Sequence, residues 1–186
     1  MVKKVTMWEY LEPLLYSKEF IHLAEISRKL KSPHATVRKY LNYFEKQGVV
    51  IKEIKGRLTM YKLNYSNPLL VDYLTLAEKN KLIRKCHSDL LMREIVSFFH
   101  GTPRREIIIF GSSVDSPKSS NDIDILITGE KAKEGFKDFE KKFGIKFHII
   151  NLKKLGEINN SLKKEIKKKH LIIENTEIVI KWMLKN

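Results

Sequence analysis

Two aspartates stand two positions apart, Asp122 and Asp124, among the apolar residues Ile123, Ile125, Leu126 and Ile127. In a strand, side chains at i and i+2 share a face. Both carboxylates are therefore expected on one side while the isoleucines bury themselves on the other. Adjacent like charges cost energy unless something neutralises them. A pair of acids on a rigid strand suits a hard cation, Mg²⁺ or Mn²⁺, which takes oxygen ligands and is often shared with substrate phosphates. Shortly upstream, Ile107-Ile108-Ile109-Phe110 runs into Gly111-Ser112-Ser113. There a glycine lets backbone approach a phosphate closely, and a following helical turn offers unpaired N–H donors. The two segments together point to nucleotide chemistry. The plainer alternative is a purely structural aspartate pair.

A strand, Gly-Ser, a polar loop and a strand carrying Asp-x-Asp resemble the signature of the DNA polymerase β-like nucleotidyltransferases, particularly the small "minimal" ones of archaea and bacteria. The resemblance covers roughly residue 88 to the C-terminus. It implies an α/β domain with a small mixed sheet, in which Asp122 and Asp124 are catalytic and hold Mg²⁺ (or Mn²⁺). Gly111, Ser112 and Ser113 would grip a nucleoside triphosphate, with ATP the expected one. The implied reaction transfers a nucleoside monophosphate to a hydroxyl on a protein side chain, a nucleic-acid end or a small molecule. Some minimal members act in toxin–antitoxin pairs, so a protein acceptor or toxin partner is among the expectations. Two departures bear on turnover. Active members carry a third carboxylate on the strand after the next helix, and His148 of Phe147-His148-Ile149-Ile150 occupies that position. A neutral imidazole can serve as a base near neutral pH, although it weakens a site for a hard cation. The loop Ser113 to Asn121 is also a residue shorter than usual, with Lys118 the one basic residue available to a phosphate. A catalytically weak domain that senses nucleotide or supports dimerisation is the alternative reading.

The elements that must hold these residues follow from periodicity. Gly101-Thr102-Pro103 breaks a helix over Asp89 to His100 before the first strand. After the Asp-x-Asp strand, Lys131 to Phe143 reads as a helix with Phe136, Phe139 and Phe143 spaced for packing, and Gly144 ends it. Ile145 to Ile150 is a strand. Leu152 to Lys169 reads as a Lys-rich helix with a solvated face, followed by a short strand, His170 to Ile173, and a closing helix, Glu177 to Leu184.

The N-terminal third has a different plan. A helix is expected over Thr6 to Tyr16 and another over Phe20 to Leu30, with Leu23, Ile26 and Leu30 on one face. Ser32 is placed to cap the next helix and Pro33 to fill its first position. That helix carries Val37, Tyr40, Leu41 and Phe44 inward and His34, Arg38, Lys39 and Asn42 outward, stopping at Gln47-Gly48. Val49 to Ile54 and Leu58 to Leu63 form a hairpin across Lys55-Gly56-Arg57. Helix, turn, helix and a basic hairpin look like a winged helix-turn-helix domain. The run from Ala24-Glu25-Ile26 through Lys46-Gln47-Gly48 is similar to the transcription-regulator version. The resemblance implies double-stranded DNA as partner, with His34, Thr36 and Arg38 at base edges and Ser32, Lys39, Lys55 and Arg57 on phosphates.

The fold class expected is α+β: a winged helix-turn-helix over 1–66, a connecting helix over 67–87 and a nucleotidyltransferase-like domain over 88–186. Leu70, Tyr73, Leu74 and Ala77 stripe the connector, packing on their own chain or on a second copy in a homodimer. A net charge of +14 favours a polyanionic partner, since neutralising phosphates releases counterions. No apolar run approaches a membrane span and Met1 to Thr6 lacks a signal peptide, so no membrane is expected. The single cysteine, Cys86, rules out an intrachain disulfide or cysteine-based zinc site and fits a reducing cytoplasm.

Overall fold

The computed structural model describes residues 6–100, 105–117, 122–129 and 135–185. Mixed helices and two small sheets make it an α+β chain. It divides into two compact units, Met1–Asn80 and Lys81–Asn186, the division falling inside one helix, α3 (Leu70–Ser88).

The first unit opens on a 3-10 helix, Met7–Leu14, where an α-helix was expected. Pro13 has no N–H to give and its ring crowds the preceding turn, which disfavours a regular α-helix here. Thr6 N–H donates to Glu9 Oε1 at 3.0 Å, fixing the start. The helix expected over Phe20 to Leu30 is also shorter. Ile21–His22 forms strand β1, paired with Tyr61 and Met60, and helix α1 runs only Leu23–Leu30. Burial of Ile21 under that pairing outweighs its helical spacing. Lys31, left-handed at φ 50°, ends α1.

Helix α2 spans His34–Lys46 with Pro33 at the N-cap, so neither Ser32 nor Pro33 takes the role expected of it. Ser32 instead ties the turn: its carbonyl accepts from Ser27 Oγ, and its hydroxyl meets Tyr10 OH at 3.3 Å. At the other end, Val49 N–H donates to Phe44 O and Gly48 N–H to Glu45 O, both at 2.9 Å. That is a Schellman closure, with Gly48 at φ 68° as it requires. Strands β2 (Val50–Lys55) and β3 (Leu58–Leu63) form the hairpin, giving an antiparallel sheet in the order β1-β3-β2. This topology is a winged helix-turn-helix. Leu11, Leu14, Ile26, Val37, Leu41 and Phe44 are fully buried at its centre, each contributing about 2 kcal/mol of hydrophobic burial. Leu70, Leu74 and Ala77 of α3 are buried as well, so the stripe expected on that helix is covered by its own chain.

In the second unit a mixed four-stranded sheet runs in the order β6-β5-β4-β7. Strand β4 is Ile107–Phe110, β5 Ile123–Thr128, β6 Phe147–Leu152 and β7 His170–Glu174. Strand β4 pairs antiparallel with β5 and β7, while β5 and β6 are parallel. All four residues of β4 are buried, as a central strand covered on both faces requires. Helix α4 (Leu90–Phe99), capped by Asp89 accepting from Met92 N–H, packs Leu91, Met92, Ile95 and Phe99 into the core. Helix α5 (Phe136–Phe143) sets its phenylalanines against α4 and β6, with Phe98–Phe139 centroids 4.7 Å apart and Phe136–Phe147 5.6 Å apart. The part of that expected helix over 131–134 lies outside the described residues. The Lys-rich helix is shorter than expected: Leu152 closes β6, and α6 covers Asn160–Lys168 with Asn159 as its N-cap. Asn159 takes one of the orphan N–H groups of the first turn, that of Leu162, at 2.9 Å. Helix α7 (Thr176–Leu184) ends the unit. Among the described residues, no helix is long and apolar enough to cross a membrane.

Candidate functional site

Two surfaces carry the residues singled out from the sequence. On α2, burying Val37, Leu41 and Phe44 turns the opposite side to solvent, where His34, Arg38 and Lys39 are exposed. His34 and Arg38 are one turn apart on the same side, in the N-terminal half of the helix that such motifs present to base edges. Thr36 is half-buried on the flank. Asn42 is also half-buried, accepting from Tyr61 OH at 3.5 Å. Ser32 is half-buried and bound to Tyr10, a poorer phosphate donor than the sequence implies. Exposed Ala35 and Lys46 were not singled out. Alternation at the helix start marks Ala35 as outward, and so small a side chain lets the backbone approach a groove.

The wing brings Lys55 and Arg57 to its tip, with Gly56 at φ 58° making the two-residue turn. Both cations are exposed, and Lys55 Nζ lies 3.1 Å from Glu53 Oε1. The tip is half apolar, however: Ile54 is 65% and Leu58 54% exposed. Strand alternation alone would not have separated these two from core-facing neighbours.

In the second unit, β4 ends at Phe110 directly opposite Asp124 on β5. Gly111 follows at φ 75°, ψ −153°, a region open to glycine almost alone. A Cβ there would stand 3.0 Å from Asp124 Oδ2. The glycine thus permits both the turn and the close approach of the carboxylate. Ser112–Val114 makes a 3-10 turn in which Ser112 is exposed and Ser113 is fully buried. Ser113 Oγ donates to Phe110 O at 3.1 Å, so its side chain locks the corner, and its backbone is what it has to offer a ligand. Asp115, 2.6 Å from Lys169 Nζ, holds the loop beyond. Lys118, the expected phosphate contact, lies outside the described residues.

His148 on β6 pairs in register with Asp124, its Nδ1 2.9 Å from Asp124 Oδ1. The position expected for a third acid is therefore beside Asp124, filled by an imidazole. Asp122, just before β5, is exposed. As donors, two carboxylates match a hard cation in type. Yet one oxygen of Asp124 is engaged by His148, and among the described residues no three His, Cys, Asp or Glu side chains group to hold a metal. The corner fits a cation shared with a ligand's phosphates better than one caged by protein.

No model of a known protein family matches the chain, and no curated protein matches it in sequence. Among solved structures it is similar to AF1382 from Archaeoglobus fulgidus, at 22% identity over 47% of this chain and 93% of that one, with a TM-score of 0.36. It is also similar to IdeR of T. acidophilum, at 22% identity over 55% of this chain and 51% of that one, TM-score 0.35. Lactococcus lactis ZitR, solved in complex with DNA, is 21% identical over 53% of this chain and 73% of that one, TM-score 0.31. Likenesses this weak say nothing of activity, and the winged helix-turn-helix rests on the topology described above.

Proposed function

We propose that this protein is a regulator that binds double-stranded DNA through its first unit, laying α2 in the major groove and the wing against the backbone. Its second unit is then a nucleotidyltransferase-like body that takes a nucleoside triphosphate, ATP by preference, with a divalent cation. The single observation that carries the DNA half is the division of α2, whose exposed His34, Arg38 and Lys39 back directly onto buried Val37 and Leu41. Those side chains are displayed on a rigid support, and the formal net charge of +14 supplies the long-range attraction to phosphate. A homodimer matching a palindromic site is the expected assembly. The test is a panel of duplexes of differing sequence, with Arg38→Ala compared against the parent. Sequence-preferring binding that weakens in the variant supports the reading; equal affinity for every duplex in both proteins removes it.

A second reading, transfer of a nucleoside monophosphate, is favoured by the approach of Asp124 to Gly111 and by the hydrogen bond that Asp124 accepts from His148. The backbone at Gly111 and Ser112 would meet phosphate oxygens, Asp122 and Asp124 would hold the cation they share, and His148 would orient Asp124 or accept a proton from the attacking hydroxyl. Mg²⁺ with ATP should raise the melting temperature through binding to the folded state, and Asp122→Asn with Asp124→Asn should abolish the rise. Label passing from radioactive ATP to a component of the cell lysate separates transfer from binding alone. A melting temperature unmoved by every triphosphate in millimolar Mg²⁺ or Mn²⁺ removes both nucleotide readings.

A further inference from the structure

A cleft of about 800 Å³, with Asp122 in its wall, opens in the second unit. It is bounded by Lys137 and Lys141 of α5 and by Lys146, with Asp122 and Glu140 as its acids. That volume is within the usual range for small-molecule sites. Lys137 and Lys141 are four residues apart and so share a face of α5. The phenylalanines of α5 pack inward against α4 and β6.

The charges in the cleft are unevenly answered. Glu140 Oε1 already accepts from Phe147 N–H at 2.7 Å, which joins α5 to the start of β6. None of the three lysines has an ion pair among the described residues. Lys29, Lys52, Lys169 and Lys181, by contrast, each lie beside a carboxylate. Helix electrostatics accounts for Lys141, which stands in the last turn of α5 where a cation meets the negative end of the dipole. It does not account for Lys137, the second residue of the helix, where the same dipole disfavours positive charge. Lys146 is held in place through its backbone, its carbonyl accepting from Ile123 N–H at 2.8 Å. The lysine side of the cleft is thereby tied to the first residue of β5, directly after Asp122.

We infer that this cleft is a binding site for a phosphate-ester ligand, whose phosphates lie on Lys137, Lys141 and Lys146 next to Asp122. It goes beyond the nucleotide reading of the Gly111 corner and does not need it, because ammonium groups bind phosphate without a metal. One chemistry, two sources: the ligand is either a free nucleotide or the phosphodiester of a single strand.

The experiment uses the full chain in EDTA, so that cation-dependent binding at the acidic corner is silent. A fluorescent ATP analogue and a labelled single-stranded hexanucleotide are titrated separately into the parent, into Lys141→Glu with Lys146→Glu, and into Arg38→Ala. Supporting results are binding of either probe that falls about tenfold or more in the double reversal, as the loss of charged hydrogen bonds predicts, and stays unchanged in Arg38→Ala. The probe that responds names the source. Lack of binding by both probes overturns the proposal, as does equal binding to parent and double reversal. Hexanucleotide binding lost only with Arg38 belongs to the winged helix and equally overturns it. Melting curves confirm that the exposed reversals leave the fold intact. An ATP-induced rise in melting temperature that survives Asp122→Asn with Asp124→Asn but is lost in the double reversal removes the corner reading and supports the cleft, so the two readings fail separately.

Discussion

On α2 the residues expected to meet DNA stand clear of the core that holds them, whereas at the Gly111 corner the residues expected to meet a nucleotide also hold one another. Arg38 and Lys39 can change without touching Leu41, because the helix backbone separates the exposed face from the buried one. Gly111 cannot acquire a side chain without meeting Asp124, and Asp124 cannot turn without losing His148. One surface is mounted on the fold and the other is woven into it. In the first, binding and stability should separate under mutation; in the second they should move together.

The largest effects test the first half of that comparison. Leu41→Ala leaves a cavity in a fully closed core and should cost about 3 kcal/mol of unfolding free energy. Arg38→Ala, at an exposed position, should change stability by less than about 0.5 kcal/mol while weakening duplex binding by about 1–3 kcal/mol. Denaturant titration beside a binding isotherm reads both numbers on each variant. An Arg38→Ala protein as unstable as Leu41→Ala would show that the exposed row is part of the fold after all.

Gly111→Ala probes the woven corner. The backbone conformation alone should cost about 2 kcal/mol, and the contact with Asp124 Oδ2 adds to it. Adding Asp124→Ala to that variant removes the contact and leaves the backbone cost, so the double variant should recover part of the loss. If Gly111→Ala unfolds at the same denaturant concentration as the parent, the corner is not constrained as described.

Much of this was legible beforehand, and the reasons differ by element. Gly48 and Gly56 announce a helix stop and a turn because each needs a left-handed backbone that other residues avoid, a purely local requirement. Asp124 could be placed on a strand because the isoleucines around it alternate, whereas Asp122, expected on the same strand, falls just before β5. His148 proved to be the neighbour of Asp124 once β5 and β6 paired in parallel. Strand β1 could not be read, because two residues take their conformation from β3, forty positions away, and not from their own spacing. Pro13 was visible, but its effect on the register of the first helix depends on which carbonyl it fails to satisfy. The lysine cleft was hidden for the same reason as β1: Lys137, Lys141 and Lys146 belong to a helix face and a strand approach that only the folded sheet brings to Asp122.

His148→Asp sharpens the comparison by a smaller step. A carboxylate in place of the imidazole sets a like charge beside Asp124 and supplies the third acid that the proposed nucleotide chemistry would use. Both side chains are partly solvated, 65% exposed for His148 and 31% for Asp124, so the penalty without metal should be on the order of 1 kcal/mol or less. Mg²⁺ should reduce it. Melting temperatures of parent and variant, measured in EDTA and in millimolar Mg²⁺, give four values. A variant whose deficit is the same in both buffers would show that the corner does not gather a cation.

The smallest effect divides the units by pH. All seven tyrosines lie in the first unit, between Tyr10 and Tyr73. Burial pushes the Tyr16 hydroxyl well above its ordinary value, with the neighbouring Glu78 carboxylate adding to the shift. Burial raises Tyr61 and Tyr65 in the same direction. A group whose folded pKa is raised contributes stability that is whole below its unfolded pKa and lost as pH climbs toward the folded one. For these tyrosines the loss begins at about pH 10. The second unit has no tyrosine; its one comparable group is Cys86, half-buried and raised by burial, which Cys86→Ser removes. Trp8 and Trp182 report the two units separately, so the Trp8→Phe and Trp182→Phe proteins, each in the Cys86→Ser background, can be melted between pH 9 and 11. The Trp8 signal should shift to lower temperature more steeply than the Trp182 signal. Lysines lose charge over the same range in both units, so the difference between the two probes is the quantity that carries the test. Equal slopes would mean that the tyrosine core of the winged helix opens to solvent as readily as the isoleucine sheet of its neighbour.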